Sequence, residues 1–358
     1  MTCTNTGSKK YLLIFIFLVI AGMGILAVTS VYIQPLSGDL TRLGGYSERD
    51  FGWNISRNVL SNEIKLPSKY DKYYDIVVLG DSFSKSGMWQ AFFVQHRNLS
   101  FTTLNWDDTT AQEVLNNNVF KSTPPKIFII EMGIRTFPKH FASIESQCDP
   151  NSLVSLVNIE KINLPKTSSS SISFVETKRD ITTDFSKINL KFALLYLQNS
   201  LLRLLFNNDF TKVKNYSLTR NDLFSNKNNE EILVLNSLFD NKVWNDDEIN
   251  NALCGAFELQ SKVQFNGKTF FILLLIPDKG TAYSKYIINP NFASVKNITD
   301  KLASKQINIT ELDSLLNEAI DKGEKDIYLP NDTHFGTQGY EITARSIYKL
   351  LDQKGVAQ

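Results

Sequence analysis

The segment over 75–84, Asp-Ile-Val-Val-Leu-Gly-Asp-Ser-Phe-Ser, most narrows the folds open to this chain. An apolar run from Ile76 to Leu79 breaks at Gly80 and leads through Asp81 and Ser82 into a helical pattern. So short a run suits a parallel strand covered on both faces, and Gly80 admits a sharp bend that sets Ser82 at the strand's carboxyl end. The pattern then repeats. A helix is predicted over 84–97, a strand over 101–105, a helix over 110–120 and, after Pro124-Pro125, a strand over 126–132. Strands and helices alternating at this spacing predict an α/β fold, with a parallel sheet joined by right-handed crossovers. The next strong strand lies over 270–276, so 138–265 reads as an insertion between neighbouring core elements. The insertion holds a low-complexity surface loop over 166–173 and a helix over 188–206. In that helix Leu190, Leu194, Leu197, Leu201, Leu204 and Leu205 recur at helical spacing, a stripe expected to pack within its own chain, with a partner helix as the alternative.

Ligands collect at the carboxyl edge of open parallel sheets, and a serine hydroxyl there becomes a nucleophile once a base takes its proton. The chain offers three histidines. His96 and His140 are expected to be surface residues. His334 stands in Leu-Pro-Asn-Asp-Thr-His-Phe-Gly-Thr-Gln-Gly-Tyr, two residues after Asp332 and before a helix predicted over 340–351. A carboxylate so placed can hold the far ring nitrogen and fix the tautomer. Gly-Asp-Ser alone is a common tripeptide, and Asp-x-His alone could be a loop pair or half a metal site. In this order they make Ser82, His334 and Asp332 the candidate nucleophile, base and orienting acid. The Ser82 backbone N–H is the natural first oxyanion donor. Asn105, at the end of the second strand, is the better candidate for a second donor and Ser84 the weaker one. Arg135 and Lys279 follow two other strands, where they could meet substrate or form salt bridges with Glu131 and Asp278. Three scattered histidines do not make a histidine-rich metal site, and no cofactor is implied.

Gly80-Asp81-Ser82 together with Asp332-Thr-His334 resembles the SGNH, or GDSL-like, hydrolase superfamily. Within it, Asp39-Leu-Thr-Arg-Leu-Gly-Gly-Tyr46, Ile276-Pro-Asp-Lys-Gly-Thr-Ala-Tyr283 and the Asp-x-His-Phe form resemble the bacterial alginate O-acetyltransferase group, over roughly residues 38 to 351. The resemblance implies a three-layer α/β/α sandwich on a flavodoxin-like sheet. It also implies O-acetylation of an exported cell-surface polysaccharide through an acetyl-enzyme, with acetyl delivered by a multi-span membrane O-acyltransferase. A carbohydrate acetylesterase with the same triad and a non-catalytic polysaccharide-binding or assembly subunit are the other readings. The superfamily's Gly-x-Asn-Asp block is replaced by Glu131-Met-Gly-Ile-Arg135, and one residue rather than two separates Asp332 from His334. The Asp-x-His element follows the serine block, whereas in the alginate enzymes it precedes it.

The run over 11–33 is uncharged and apolar, and as a helix it would cover about 35 Å, enough for a bilayer core. Lys9 and Lys10 precede it, which predicts a cytoplasmic stretch over 1–10, a single transmembrane anchor over 11–33 and a body outside the bacterial inner membrane, in the periplasm. A cleaved signal peptide is the alternative. Residues 34–66 read as a polar approach segment without chemistry of its own, and 67–358 as the SGNH-like catalytic domain. The formal net charge of +1 gives no reason to expect nucleic acid as a partner. Cys148 and Cys254 form the one cysteine pair after the anchor and are expected to be disulfide-bonded, two buried free thiols being the alternative.

Overall fold

The structure is a computed structural model that describes residues 6–33, 36–61, 67–95, 99–141, 161–162, 173–179, 186, 188–206, 208–235, 245–289 and 298–356. The chain divides into two compact units. The sheet unit comprises Ser56–Thr177, Leu238–Tyr328 and His334–Gln358; the anchor unit comprises Met1–Ile55, Lys178–Ser237 and Leu329–Thr333.

The sheet unit contains β1 (Arg57–Leu60), β2 (Ile76–Gly80), β3 (Phe101–Asn105), β4 (Ile127–Gly133), β5 (Phe174–Thr177) and β8 (Phe270–Ile276). Four of them form one parallel sheet in the order β3-β2-β4-β8, while β1 and β5 pair antiparallel. Every residue of β2, β4 and β8 is buried, the environment that runs of Val, Ile, Leu and Phe require. Beside β8, a bridge from Leu273 to Ile309 begins a fifth parallel position. The chain leaves β2 for β3 and then returns to β4 on β2's other side. Strand order therefore reverses between β2 and β4, which is where such sheets open a crevice.

Helices of this unit depart from the expected spans for local reasons. The helix expected over 84–97 is divided into α4 (Ser82–Lys85) and α5 (Met88–Val94), because Gly87 takes a left-handed φ of 66° between them. The helix expected over 110–120 becomes α6 (Ala111–Asn116) and α7 (Asn118–Ser122). Asn117 is extended at the break, and its Oδ1 accepts the Val119 N–H at 2.8 Å, a local bond that competes with helix continuation. The sheet core joins Phe128, Ile130 and Phe271 to Phe137 and Phe141 of α8 (Phe137–Phe141) and to Leu253 and Leu259 of α10 (Asp246–Gln264). Thus α10, within the stretch read as insertion, packs against β8 and α8 as part of the sheet unit. Cys254 lies buried on α10 and is disulfide-bonded; its expected partner Cys148 lies outside the described residues, as does most of the loop over 166–173. After β8 come α11 (Lys279–Ala282), α12 (Ile298–Ser304), α13 (Leu312–Asp321) and α14 (Thr337–Gln353), the last packed on α5.

The anchor unit begins with α1 (Thr6–Ile33), whose portion Lys9–Ile33 is long and apolar enough to cross a membrane. It continues through α2 (Asp39–Gly44), α3 (Glu48–Phe51), α9 (Leu190–Phe206) and the antiparallel pair β6 (Val213–Ser217) and β7 (Glu231–Leu235). Leu40, Tyr46, Phe51, Val213 and Leu233 form its small core. The leucine stripe of α9 is not packed inward as expected. Phe192, Ala193 and Asn199 are the buried residues of α9, while Leu194, Leu197, Leu201, Leu204 and Leu205 are exposed. The reason is hydrogen bonding: the Gly44 carbonyl is reached by both Asn199 Nδ2 and Arg203, so the polar face must turn inward. The approach segment is also more than a spacer. Glu48, 1% exposed, accepts hydrogen bonds from the Gly38 N–H and Asn331 Nδ2, tying the start of the body to the loop over 329–333.

An L-residue at Gly87 would be forced into the left-handed region. Gly87→Ala is therefore expected to lower the unfolding free energy by about 1–2 kcal/mol, read as a shift of the urea midpoint with an unchanged m-value.

Candidate active site

The turn after β2 is built around Asp81, the N-cap of α4. Asp81 Oδ1 accepts the Phe83 N–H at 2.9 Å, and Oδ2 accepts the Gly133 N–H from the end of β4 at 3.0 Å. Ser82 is thereby the first residue of α4 and lies exposed at the carboxyl edge of the sheet. The first N–H groups of a helix have no intrahelical acceptor. That of Phe83 is taken by Asp81, and none of the described residues accepts that of Ser82.

His334 and Ser82 are brought together from 252 positions apart, with His334 Nε2 2.9 Å from Ser82 Oγ. Aromatic packing seats the imidazole. Phe83, next to the serine, lies against the His334 ring with centroids 4.8 Å apart, and against Phe335 at 5.0 Å. Phe335 is in turn buried against Tyr328 and Tyr340, and a bridge between Tyr328 and Phe335 closes the loop. Asp332 belongs to the anchor unit. There its Oδ2 accepts the Asp39 N–H at 3.2 Å, while the Asp39 carboxylate accepts from Thr333 N at 2.9 Å and Thr333 Oγ1 at 2.5 Å.

Glu131, expected only as a salt-bridge partner, is the buried support of the turn after β2. Its Oε2 accepts the Asp81 N–H at 3.0 Å and the Ser84 hydroxyl at 2.5 Å, and Trp89 Nε1 donates to that same hydroxyl at 3.1 Å. Oε1 has no hydrogen-bond partner among the described residues. Burial, followed by the neighbouring Asp81 charge, pushes the Glu131 carboxyl well above the usual carboxylate range. The sequence held a signal for it, a single acid inside the otherwise apolar run of β4. Gly80 serves this contact rather than a bend. Its φ is not among the left-handed ones, but a Cβ there would stand 2.5 Å from Ser84 Oγ and 2.6 Å from Glu131 Oε2.

The remaining candidates divide. Arg135 pairs with Asp278, not Glu131, at 2.5 Å. Burial raises the Asp278 carboxyl, and the Arg135 charge opposes that rise. Lys279 is 3% exposed, so it is not presented to a substrate in solvent. Asn105 uses its Oδ1 to accept the Asp107 N–H at 3.1 Å and borders a separate cavity of about 230 Å³ with Ser68, Tyr70 and Glu113. Ser84 is buried and committed to Glu131 and Trp89. His140 is half-buried rather than a plain surface residue, with its ring 4.6 Å from that of Trp106, beside a cavity of about 370 Å³ that Phe141 and Leu259 also line. Desolvation, then the Lys139 charge, lowers its pKa. His96 lies outside the described residues.

No protein-family model matches the chain, and no curated protein shows a significant match to it.

The raised Glu131 carboxyl has a consequence for stability. A folded-state pKa above the unfolded one favours the native state fully below the unfolded value, about 4.3, and that advantage is lost as pH rises through the folded value. Over that window the wild type should lose stability with a slope of up to about 1.4 kcal/mol per pH unit, and Glu131→Gln should remove that contribution. Urea unfolding at a series of pH values checks it; parallel curves for the two proteins would show that Glu131 ionises normally.

Proposed function

We propose that this chain is a membrane-anchored O-acetyltransferase that acts outside the cytoplasmic membrane on an exported cell-surface polysaccharide, through Ser82, His334 and Asp332. The observation that carries the reading is the 2.9 Å approach of His334 Nε2 to Ser82 Oγ, on an exposed serine at the point where strand order reverses. His334 takes the proton as Ser82 attacks the acyl carbonyl, and Asp332 steadies the imidazole in its charged form. The bond from the acetyl carbonyl to the donor's leaving group then breaks, His334 passes its proton to that group as it departs, and an acetyl-enzyme remains. The Ser82 N–H points to the developing oxyanion, where one donor is worth roughly 3–4 kcal/mol. A polysaccharide hydroxyl then attacks the acetyl carbonyl while His334 takes its proton, and that proton passes to Ser82 Oγ as the ester bond to the serine breaks.

The strand order β3-β2-β4-β8 has the arrangement of the first four strands of a flavodoxin-like sheet, which supports an SGNH-type α/β/α sandwich. The N-terminal helix supports anchoring in a bacterial inner membrane with the body in the periplasm, and disulfide-bonded Cys254 suits an oxidising compartment. Anchoring also suits acceptance of acetyl from a membrane-embedded O-acyltransferase. Arg135, held by Asp278, shapes the edge of the site rather than offering an uncommitted charge to substrate.

The test is to incubate the purified full chain with an acetyl-ester donor, with and without oligosaccharide acceptors, following acetate and product mass. Acceptor-dependent acetylated product is expected; acetate alone would make the protein an esterase. Ser82→Ala and His334→Ala should each reduce turnover by roughly 10⁴–10⁶-fold, and the double variant should be hardly worse than either. If folded Ser82→Ala leaves polymer acetylation in cells unchanged, the protein is an assembly subunit instead.

A further inference from the structure

We propose that the outward face of α9 lies in the lipid–water interface, a second and in-plane contact of the anchor unit with the membrane. Two polar side chains of this helix point inward: Asn199 is 5% exposed, and Arg203 donates to the Gly44 and Gly45 carbonyls at 3.2 and 3.0 Å, stacks 4.1 Å above the Tyr46 ring and pairs with Asp209 at 3.5 Å. Lys191 and Gln198 are exposed. Outward stand Leu194, Leu197, Leu201, Leu204, Leu205 and Phe206, with Leu204 81% exposed. Single exposed leucines need no explanation, but a contiguous row marks an interaction surface.

The occupant follows from what α9 touches. It packs against α1, and the residue just before it, Asn189, donates its N–H to Ser30 Oγ at 2.8 Å. Ser30 lies within one turn of the end of α1 at Ile33, so α9 starts where the spanning helix leaves the bilayer. With 17 residues, including Lys191, Asn199 and Arg203, α9 is too short and too polar to cross by itself. A helix of this kind lies in the plane of the interface, with its apolar face roughly 5–10 Å into the boundary of headgroups and chains. The row of leucines then continues the apolar surface that α1 already gives to lipid.

The inference uses the membrane anchoring proposed above and goes beyond it. To test it, the full chain with Cys3→Ser and Leu204→Cys carries an environment-sensitive fluorophore at position 204, in vesicles of phosphatidylcholine and phosphatidylglycerol. A matched protein carries the label at exposed Lys227 (Lys227→Cys). The label at 204 should emit to the blue of that at 227. It should be quenched more by a nitroxide high on the acyl chain than by one near the chain's methyl end, and resist aqueous iodide. Flotation with the vesicles but equal iodide quenching at both positions overturns the α9 inference while leaving the anchor intact. Protection from iodide without quenching by either lipid nitroxide means that a protein, such as a second copy, covers the face, and also overturns it. Failure of the chain to float removes both the anchor and the α9 contact.

Discussion

The buried carboxyl of Glu131 ties the end of one central strand to the turn that follows the other, and the presentation of Ser82 depends on it. Enclosing a carboxyl group is costly unless its oxygens find donors. Here the Asp81 N–H and the Ser84 hydroxyl supply them at one oxygen, and burial together with the Asp81 charge favours the protonated acid. The bond reaches across the gap only because Gly80 has no side chain, while Trp89 and Trp106 close the surroundings by donating to Ser84 Oγ and to the Glu131 carbonyl. Asp81 completes the link in the other direction by accepting the Gly133 N–H. The turn after β2 is thus fixed to β4 at both its backbone and its side chains.

Acidic groups crowd this edge of the sheet, and the chain balances them internally. Asp81 is occupied as an N-cap, Glu131 is favoured in its neutral form, and Asp278 is matched by Arg135. A bidentate-capable arginine at a sheet edge suggests recognition of an anion, but its commitment to a buried aspartate makes it part of the scaffold. The Ser82 hydroxyl stays exposed at this edge, 2.9 Å from His334 Nε2.

Within the anchor unit, the residues just after α1 hold the loop that carries Asp332. Asp39 and Glu48 accept or donate every bond described above between α2, α3 and the loop over 329–333. A segment that composition alone presents as a polar spacer therefore fixes the geometry of an acid nearly 300 positions away.

Most of the parallel strands were legible because β2, β4 and β8 are short, largely apolar runs whose burial on both faces needs no partner to be specified, whereas Thr-rich β3 is only partly buried. Ile76 to Leu79, Phe101 to Asn105 and Phe270 to Ile276 are strands in the structure as in the sequence. The pairing of a Gly-Asp-Ser turn with a distant histidine was legible too, since the turn sits at the carboxyl end of β2 and His334 follows an acid by two residues in a loop just before α14. Helix breaks at Gly87 and Asn117 were less visible, being set by one residue's backbone preference within an otherwise helical pattern. The role of Glu131, the partner of Arg135 and the outward turn of the α9 leucines were not legible. Each depends on which donor or acceptor lies across the space from it, and helical or strand periodicity fixes only that a face exists, not what the fold brings to meet it.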